Sequence, residues 1–346
     1  MQTILILFGG CSSEHDVSLH SAAAVMRALE HRYALLPVGI TRSGRWLRYT
    51  GTADAVESGC WDSRPGCAPC TLSLDRGERR LILLDGSGRS ETFDAAFPVL
   101  HGKNGEDGTV QGLLELVGAP MIGCGVLSSA LCMDKDRAHR LAAAAGIAVP
   151  RGAVFTRLSE RGEIESSAAS LGWPVFVKPV RAGSSFGISR VDGPDGLGGA
   201  VREAFRHDRE VLIEEAVPGF EVGCAVMGCG ELTAGAVDEI ELSRGFFDYE
   251  EKYGLITSRI HCPARIPPEK AEEIKAAARA IYRALDCRVF ARVDMFLTPD
   301  GRIVFNEVNT IPGFTSHSRY PGMMAAAGVD FETLVQRLVE LGVSGR

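Results

Sequence analysis

The sequence has 346 residues, a formal net charge of −7 and 45% hydrophobic residues. A chain of this length forms two or three domains, and its acidic balance argues against a nucleic-acid groove or an anionic membrane surface as partner. No apolar run is long enough to cross a bilayer, and the short run at 4–8 suits a buried strand better than a signal peptide. We therefore expect a cytoplasmic protein that binds neither nucleic acid nor membrane.

Residues 1–127 alternate predicted strands and helices, which is typical of an α/β domain with a mostly parallel sheet. Strands are predicted at 4–8, 35–40 and 95–100, and helices at 18–29 and 108–116. The stretch 51–88 is rich in turn residues and is predicted to be peripheral.

Two further domains are predicted at 128–217 and 218–346. The first is a small α+β domain with helices at 135–145 and 195–206 and strands at 154–155, 175–179 and 211–215. The second has strands at 221–228 and 231–240, a polar loop at 243–258, helices at 269–285 and 330–341, and a hairpin between those helices.

The hairpin is predicted where two apolar runs flank the turn residues Thr-Pro-Asp-Gly at 298–301. Folding about this turn brings Asp294 opposite Glu307, and period-2 alternation places Phe305, Glu307 and Asn309 on one face of the returning strand. Two carboxylates and an amide oxygen form the oxygen-only ligand set that Mg²⁺ prefers. A solvated polar strand face is the alternative interpretation of the same pattern.

An anion-binding loop is predicted after the apolar strand that ends at Lys178. The Gly- and Ser-rich residues 183–187 offer backbone N–H groups, and the strand-borne lysine offers a fixed charge for a phosphate. The order of residues is not that of a Walker A motif, and a generic glycine-rich turn would have a similar composition.

The strand at 211–215 ends in Glu214 and Glu215, with Glu221 a little further on. A backbone hinge at this point would hydrogen-bond an adenine edge while a carboxylate takes ribose hydroxyls. Taken alone, the segment would equally suit an acidic strand end in solvent.

Two polar loops follow buried strands of the first domain. The glycine-rich turn after residue 8 carries Glu14 and Asp16, which would repel a phosphate and suit an ammonium group. His101 opens the second loop at the carboxyl end of a strand, where open α/β sheets bind ligands, although a lone histidine is more often structural.

Together these motifs resemble the D-alanine–D-alanine ligase family of ATP-grasp enzymes, and within it the D-alanine–D-serine ligases of vancomycin resistance. The resemblance runs in order through the whole chain and implies a three-domain ATP-grasp fold. The residues that carry it are Gly9, Gly10, Glu14 and Ser18, the run 101–108, Lys178 with Gly183, Ser184 and Ser185, Asp248 with Lys252 and Tyr253, Arg292 with Asp294, and Asn306, Glu307, Asn309 and Gly313.

The resemblance implies ATP as a substrate and two Mg²⁺ ions as metal cofactors, with Mn²⁺ as a substitute. The metal ligands would be Asp294, Glu307 and Asn309, with Glu307 between the two ions. The remaining ATP contacts that it implies are Lys135 and Lys178 for phosphates, Glu214, Glu215 and Val217 for adenine, Glu221 for the ribose, and Lys252 on a loop that closes over the phosphates.

Family members activate D-alanine as an acyl phosphate, which a second D-amino acid then attacks. The residues that the resemblance assigns to this chemistry are Glu14 for the first ammonium group, His101 beside that substrate, Arg292 and the Gly313 N–H for the oxyanion, Ser184 and Ser318 for the second carboxylate, and Tyr253 on the closing loop. Closure of the loop would exclude water from the acyl phosphate. A homodimer is a family expectation.

Two positions where this chain departs from the usual D-alanine–D-alanine pattern, Phe247 and Arg319, match the D-serine-adding branch. A guanidinium at 319 offers donors where a serine hydroxyl would lie, and a site built to bond a hydroxyl rejects the analogue that lacks it by roughly 10⁴–10⁵. Tyr253 argues against D-lactate, because D-lactate-adding relatives carry histidine there. D-alanine and D-serine are therefore the expected substrates.

Three alternatives stay open at this point. The nearest is a D-alanine–D-alanine ligase of ordinary cell-wall synthesis in which Arg319 makes only a surface salt bridge. The others are an ATP-grasp ligase for larger substrates and an inactive nucleotide-binding protein, which would have lost a metal ligand or the phosphate lysine.

Overall fold

A computed structural model of the protein describes residues 1–63, 66–183, 186–242 and 258–344. Its strands form three sheets of seven, four and five strands, which follow one another along the chain. Within the described residues no helix is both long and apolar enough to cross a membrane.

The first sheet is mixed, whereas a mostly parallel sheet was predicted. Its parallel part consists of β1 with β2 on one side and β7 on the other, and all its other pairings are antiparallel. The spatial order of its strands is β6-β5-β4-β3-β2-β1-β7, namely β1 (Thr3–Gly9), β2 (Ala34–Ile40), β3 (Trp46–Tyr49), β4 (Cys67–Leu72), β5 (Arg80–Leu83), β6 (Ser90–Thr92) and β7 (Ala95–Val99). The turn-rich stretch 51–88 thus supplies strands to the far edge of this sheet.

The helices of this first part are α1 (His15–Leu29), α2 (Ala53–Glu57) and α3 (Thr109–Val117), with a short 3-10 helix at Trp61–Ser63. Two of them, α1 and α3, were predicted, whereas α2 and the 3-10 helix lie in the stretch that was predicted to be only turn-rich. Helix α1 begins directly after Glu14, so the loop after β1 is held at a helix N-terminus.

The second sheet is antiparallel, with the order β10-β9-β11-β8. Its elements are β8 (Gly152–Thr156), α6 (Arg161–Leu171), β9 (Val175–Pro179), β10 (Ser189–Val191), α7 (Pro194–His207) and β11 (Glu210–Glu215). Helix α6 was not predicted. Two helices precede β8, namely α4 (Val126–Met133) and α5 (Lys135–Ala144). They pack into the hydrophobic cluster of the third sheet and not against the second. The domain boundaries at 127 and 217 stay a prediction.

The third sheet is also antiparallel and has the order β14-β13-β12-β15-β16. Its elements are β12 (Phe220–Gly228), β13 (Thr233–Leu242), β14 (Ser258–His261), α8 (Pro268–Ala284), β15 (Val289–Leu297) and β16 (Ile303–Asn309), followed by α9 (Arg319–Ala326) and α10 (Phe331–Ser344). Helix α9 was not predicted.

An aromatic cluster joins the first and third parts of the chain. Phe314, which follows β16, packs edge-on against Phe97 of β7 and Phe290 of β15, at centroid distances of 6.3 and 5.2 Å. All three rings are buried in one hydrophobic cluster that also includes Tyr320. The segment after β16 is therefore fixed against the first sheet, which decides where its backbone groups can point.

Candidate active site

A cavity of about 1200 Å³ lies between the first sheet's loops, the start of α5 and the segment after β16. Acidic, basic and backbone groups from distant parts of the chain meet there. The predicted site residues in its lining are Glu14, His101, Lys135, Arg292, Glu307, Asn309, Gly313, Ser318 and Arg319.

The predicted hairpin is confirmed, with Asp294 paired to Glu307 and Arg292 paired to Asn309 across β15 and β16. A β-bulge then shifts the register, so that Phe305 pairs with Met295. Both of these side chains are buried in the cluster under α8. The prediction that Phe305 shares a face with Glu307 is therefore wrong, because the bulge reverses the alternation at that point.

Asp294 is buried and already surrounded by hydrogen-bond donors. Arg292 donates to both of its oxygens at 2.7–3.1 Å, and Asn309 Nδ2 donates to Oδ2 at 2.9 Å. Although burial opposes ionisation, the guanidinium groups of Arg292 and Arg319 hold the pKa of Asp294 below its ordinary value. Asp294 is thus an anion in the folded protein.

The donor set on the hairpin suits a hard cation, since it consists of two carboxylates and an amide oxygen on a rigid strand pair. Glu307 faces the cavity, 3.4 Å from Lys135 Nζ. Asp294 would have to share its oxygens with Arg292 on binding an ion. In the described ranges no set of three or more His, Cys, Asp or Glu side chains has metal-binding geometry, so a metal here would need the amide of Asn309 and oxygens of the substrates.

Lys178 and Glu214 form a buried ion pair across β9 and β11. The second oxygen of Glu214, Oε2, has no hydrogen-bond partner among the residues that the structure describes. Lys135 Nζ donates to the Ala182 carbonyl oxygen at 2.9 Å, beside the predicted phosphate loop. A buried carboxylate oxygen without a donor is costly, so Glu214 has an electrostatic reason to bind a donor.

The two other acidic residues of the predicted nucleotide site are engaged elsewhere. Glu215 accepts hydrogen bonds from the backbone and guanidinium of Arg151, at 3.0 and 2.7 Å. Glu221, predicted for the ribose, accepts from Arg319 Nη1 at 2.8 Å. Val217 lies in the segment between β11 and β12, where a hinge was predicted. For ribose to bind as the resemblance implies, Glu221 would have to share its carboxylate with Arg319.

Arg319 is the first residue of α9, and its side chain is only 8% exposed. It donates to both oxygens of Asp238 at 2.8 and 2.9 Å and lies 3.4 Å from Asp294 Oδ1. Gly223 makes room for it, since a Cβ there would approach Arg319 Nη2 at 2.5 Å. The ion pairs of Arg319 are therefore buried, not the surface salt bridge of the nearest alternative.

Glu14 is buried at the N-terminus of α1. Its Oε2 lies so close to Gly102 that a Cβ added to that glycine would overlap it. Gly102 also has a φ of +69°, which favours glycine.

A second acidic residue, Glu106, accepts a hydrogen bond from the Gly102 N–H at 2.7 Å and lines the same cavity. Burial and the neighbouring Glu14 raise the pKa of Glu106 to about 8. Sequence reasoning gave Glu106 no role, although it stands in the loop that was singled out for His101.

The remaining predicted residues divide into two groups. Ser318 accepts a hydrogen bond from the Thr315 N–H at 3.0 Å and lies beside Gly313 in the cavity wall. The others are Ser184, Phe247, Lys252 and Tyr253, which lie outside the described residues, as does the predicted closing loop apart from its last residue, where β14 begins.

Two models of one protein family match this chain. The model described as "D-ala D-ala ligase N-terminus" matches residues 3–124, and "D-ala D-ala ligase C-terminus" matches residues 141–340. The chain belongs to the D-ala D-ala ligase family. The resemblance seen in the sequence and the ATP-grasp fold are thereby confirmed.

Relatives of this ligase carry several substrate names. A provisionally named D-alanine–D-lactate ligase of Streptomyces coelicolor is 47% identical over 99% of this chain and 97% of its own. Vancomycin B-type resistance protein VanB of Enterococcus faecalis is 43% identical over 98% of both chains. The crystal structure of VanG D-Ala:D-Ser ligase from Enterococcus faecalis has a TM-score of 0.92 and 51% identity, with 99% of each chain covered. This ligase thus belongs to an ATP-dependent class that joins two amino- or hydroxy-acid substrates and typically uses Mg²⁺.

Proposed function

We propose that this chain is an ATP-dependent D-alanine–D-serine ligase that acts through a D-alanyl phosphate. Its product would supply a modified peptidoglycan terminus and confer vancomycin resistance. The observation that carries the proposal is the largely buried Arg319 side chain, which lies with Glu14 and Arg292 in the wall of one cavity.

The hydrogen-bond inventory of Arg319 supports a hydroxyl-bearing substrate. A guanidinium has five N–H donors. In the described part of the chain its hydrogen bonds use one donor at Nε and one at Nη2, both toward Asp238, and one at Nη1, toward Glu221, while Nη2 also forms an ion pair with Asp294 at 3.4 Å. One Nη1 donor remains for a ligand in the cavity. A D-serine hydroxyl would accept from it, whereas D-alanine would leave it unpaired.

The chemistry of joining the two substrates is mainly positioning and charge neutralisation. Glu14 would bind the ammonium group of the first D-alanine, and Arg292 with the Gly313 N–H would face the oxyanion that forms when the second amine attacks. Ser318, together with Ser184, would orient the second carboxylate. Lys135 and Lys178 would exchange their present carboxylate and carbonyl partners for phosphate oxygens of ATP.

Metal chemistry would be supplied at the hairpin. Asp294, Glu307 and Asn309 would hold Mg²⁺, which neutralises phosphate charge when bound.

The adenine would lie at the hinge formed by Glu214, Glu215 and Val217. There the orphan Glu214 Oε2 provides an acceptor for a donor on the ligand.

The direct test offers the purified enzyme ATP, Mg²⁺ and D-alanine together with equimolar D-serine, D-lactate and further D-alanine, and identifies products by mass spectrometry. We expect D-alanyl-D-serine to exceed D-alanyl-D-alanine by tenfold or more at neutral pH. Predominance of D-alanyl-D-alanine would establish the ordinary cell-wall ligase, and predominance of D-alanyl-D-lactate would align the enzyme with its Streptomyces relative.

A further inference from the structure

The segment that carries the Gly313 N–H is held at both ends by side chains from the first part of the chain. The Ile311 N–H donates to Glu106 Oε1 at 3.2 Å, and the Ile311 carbonyl accepts from His101 Nδ1 at 2.8 Å. The Phe314 N–H donates to Ser21 Oγ at 3.1 Å. Gly313 lies between these anchored peptide groups.

Proton positions in this arrangement are fixed by the partners. A carbonyl oxygen can only accept, so His101 Nδ1 carries a hydrogen, and burial lowers the pKa of His101 so that the ring is neutral. Its Nε2 is then an acceptor, 3.2 Å from Ser21 Oγ. Ser21 accepts from Phe314 and donates to His101, so each group in the relay has the partner that it needs.

Glu106 completes the arrangement on the other side of Ile311. It joins the Gly102 N–H, in the His101 loop, to the Ile311 N–H after β16. Each N–H points at a different oxygen of the Glu106 carboxyl group, and the amide isostere could satisfy only one of them with its single oxygen.

We propose that Ser21 and Glu106 are positioning residues for the ligation step. With His101 they hold the 311–314 backbone so that the Gly313 N–H meets the developing oxyanion. This inference rests on the proposed function, because it assumes that Gly313 serves the reaction. A donor fixed before the reaction begins needs no reorganisation in the transition state, so loosening the backbone should affect turnover more than substrate binding.

The test compares Ser21→Ala and Glu106→Gln with Ser129→Ala. Ser21 and Ser129 are both fully buried helical serines, but Ser129 Oγ has no hydrogen-bond partner among the described residues. We expect Ser21→Ala and Glu106→Gln each to lower kcat about tenfold, the effect of one lost hydrogen bond, with the KM for ATP and D-alanine within about twofold of wild type. Ser21→Thr should restore most of kcat, and Ser129→Ala should leave it unchanged.

Two further measurements separate positioning from a structural defect. The ratio of ADP released to dipeptide formed should rise in the Ser21 and Glu106 variants, because the acyl phosphate waits longer and is hydrolysed. Affinity for a phosphinate analogue of the tetrahedral intermediate should fall about tenfold, while affinity for D-alanine stays constant. A kcat within twofold of wild type in both variants, or an equal loss in Ser129→Ala, would overturn the proposal. Failure of the proposed function would instead appear in the wild-type enzyme, as the predominance of D-alanyl-D-alanine or D-alanyl-D-lactate over D-alanyl-D-serine.

Discussion

Replacing Arg319 with leucine should cost stability as well as specificity, because the guanidinium neutralises carboxylates that have little access to water. The side chains of Asp238 and Asp294 are each 1% exposed. Asp294 would keep Arg292, whereas the one hydrogen-bond donor that Asp238 would keep among the described residues is the Gly223 N–H at 2.9 Å. Breaking a buried pair by removing one partner typically costs about 3–5 kcal/mol. We expect Arg319→Leu to lose free energy of unfolding in that range.

Urea unfolding followed by far-ultraviolet circular dichroism would measure this loss. Arg302→Leu is the matched control, since Arg302 pairs with Asp300 in the turn between β15 and β16 but both side chains are more than half exposed, and only a small loss is expected. The double variant Arg319→Leu, Asp238→Asn should recover much of the stability, because the uncompensated charge is gone. Equal losses in the Arg319 and Arg302 variants would refute the reasoning, as would a double variant no more stable than Arg319→Leu.

Two other predictions follow from the loop at 101–106. Gly102→Ala should raise the KM for the first D-alanine about tenfold or more, because its Cβ would displace the Glu14 carboxylate. Gly86→Ala, at a φ of +80° with open space around it, should leave that KM unchanged, and equal effects of the two would remove Glu14 from the explanation. Glu106 should make stability fall as pH rises from about 4.5 to about 8, since the folded carboxyl retains a proton that the unfolded one releases. Glu106→Gln should lack this slope in unfolding free energy, and parallel pH profiles for variant and wild type would contradict the raised pKa.

Local chemistry explains what the sequence could predict. The hairpin was found because Thr-Pro-Asp-Gly is a turn signal within four residues, and the Asp294–Glu307 pairing follows from counting outward from it. The β-bulge was invisible to such counting, so Phe305 was placed on the wrong face. Helix α6 was missed because it buries only Ile164 and Ala168, which is too weak a stripe to show a helical period.

The contacts that the sequence could not predict are those between residues far apart in the chain. Arg319 was identified as a specificity residue from its type and place, but its carboxylates lie 81 and 98 residues away. Glu106 went unassigned because its role depends on Ile311, 205 residues further on. No local pattern encodes either contact. The Arg319 contacts form only when α9 packs on β12 and β13, and the Glu106 contact only when the first and third parts of the chain come together.

The aromatic cluster around Phe314 has a consequence for how the protein can be divided. Phe97, Phe290 and Tyr320 share one hydrophobic cluster with that ring, whereas the four-stranded second sheet has an apolar cluster of its own. The first and third parts of the chain therefore share a hydrophobic core, although the second sheet lies between them in the sequence. A fragment ending near residue 127 would expose the buried face of Phe97 to water. The second sheet, inserted between two halves of a shared core, is the part that could be excised or exchanged with least loss of apolar contact.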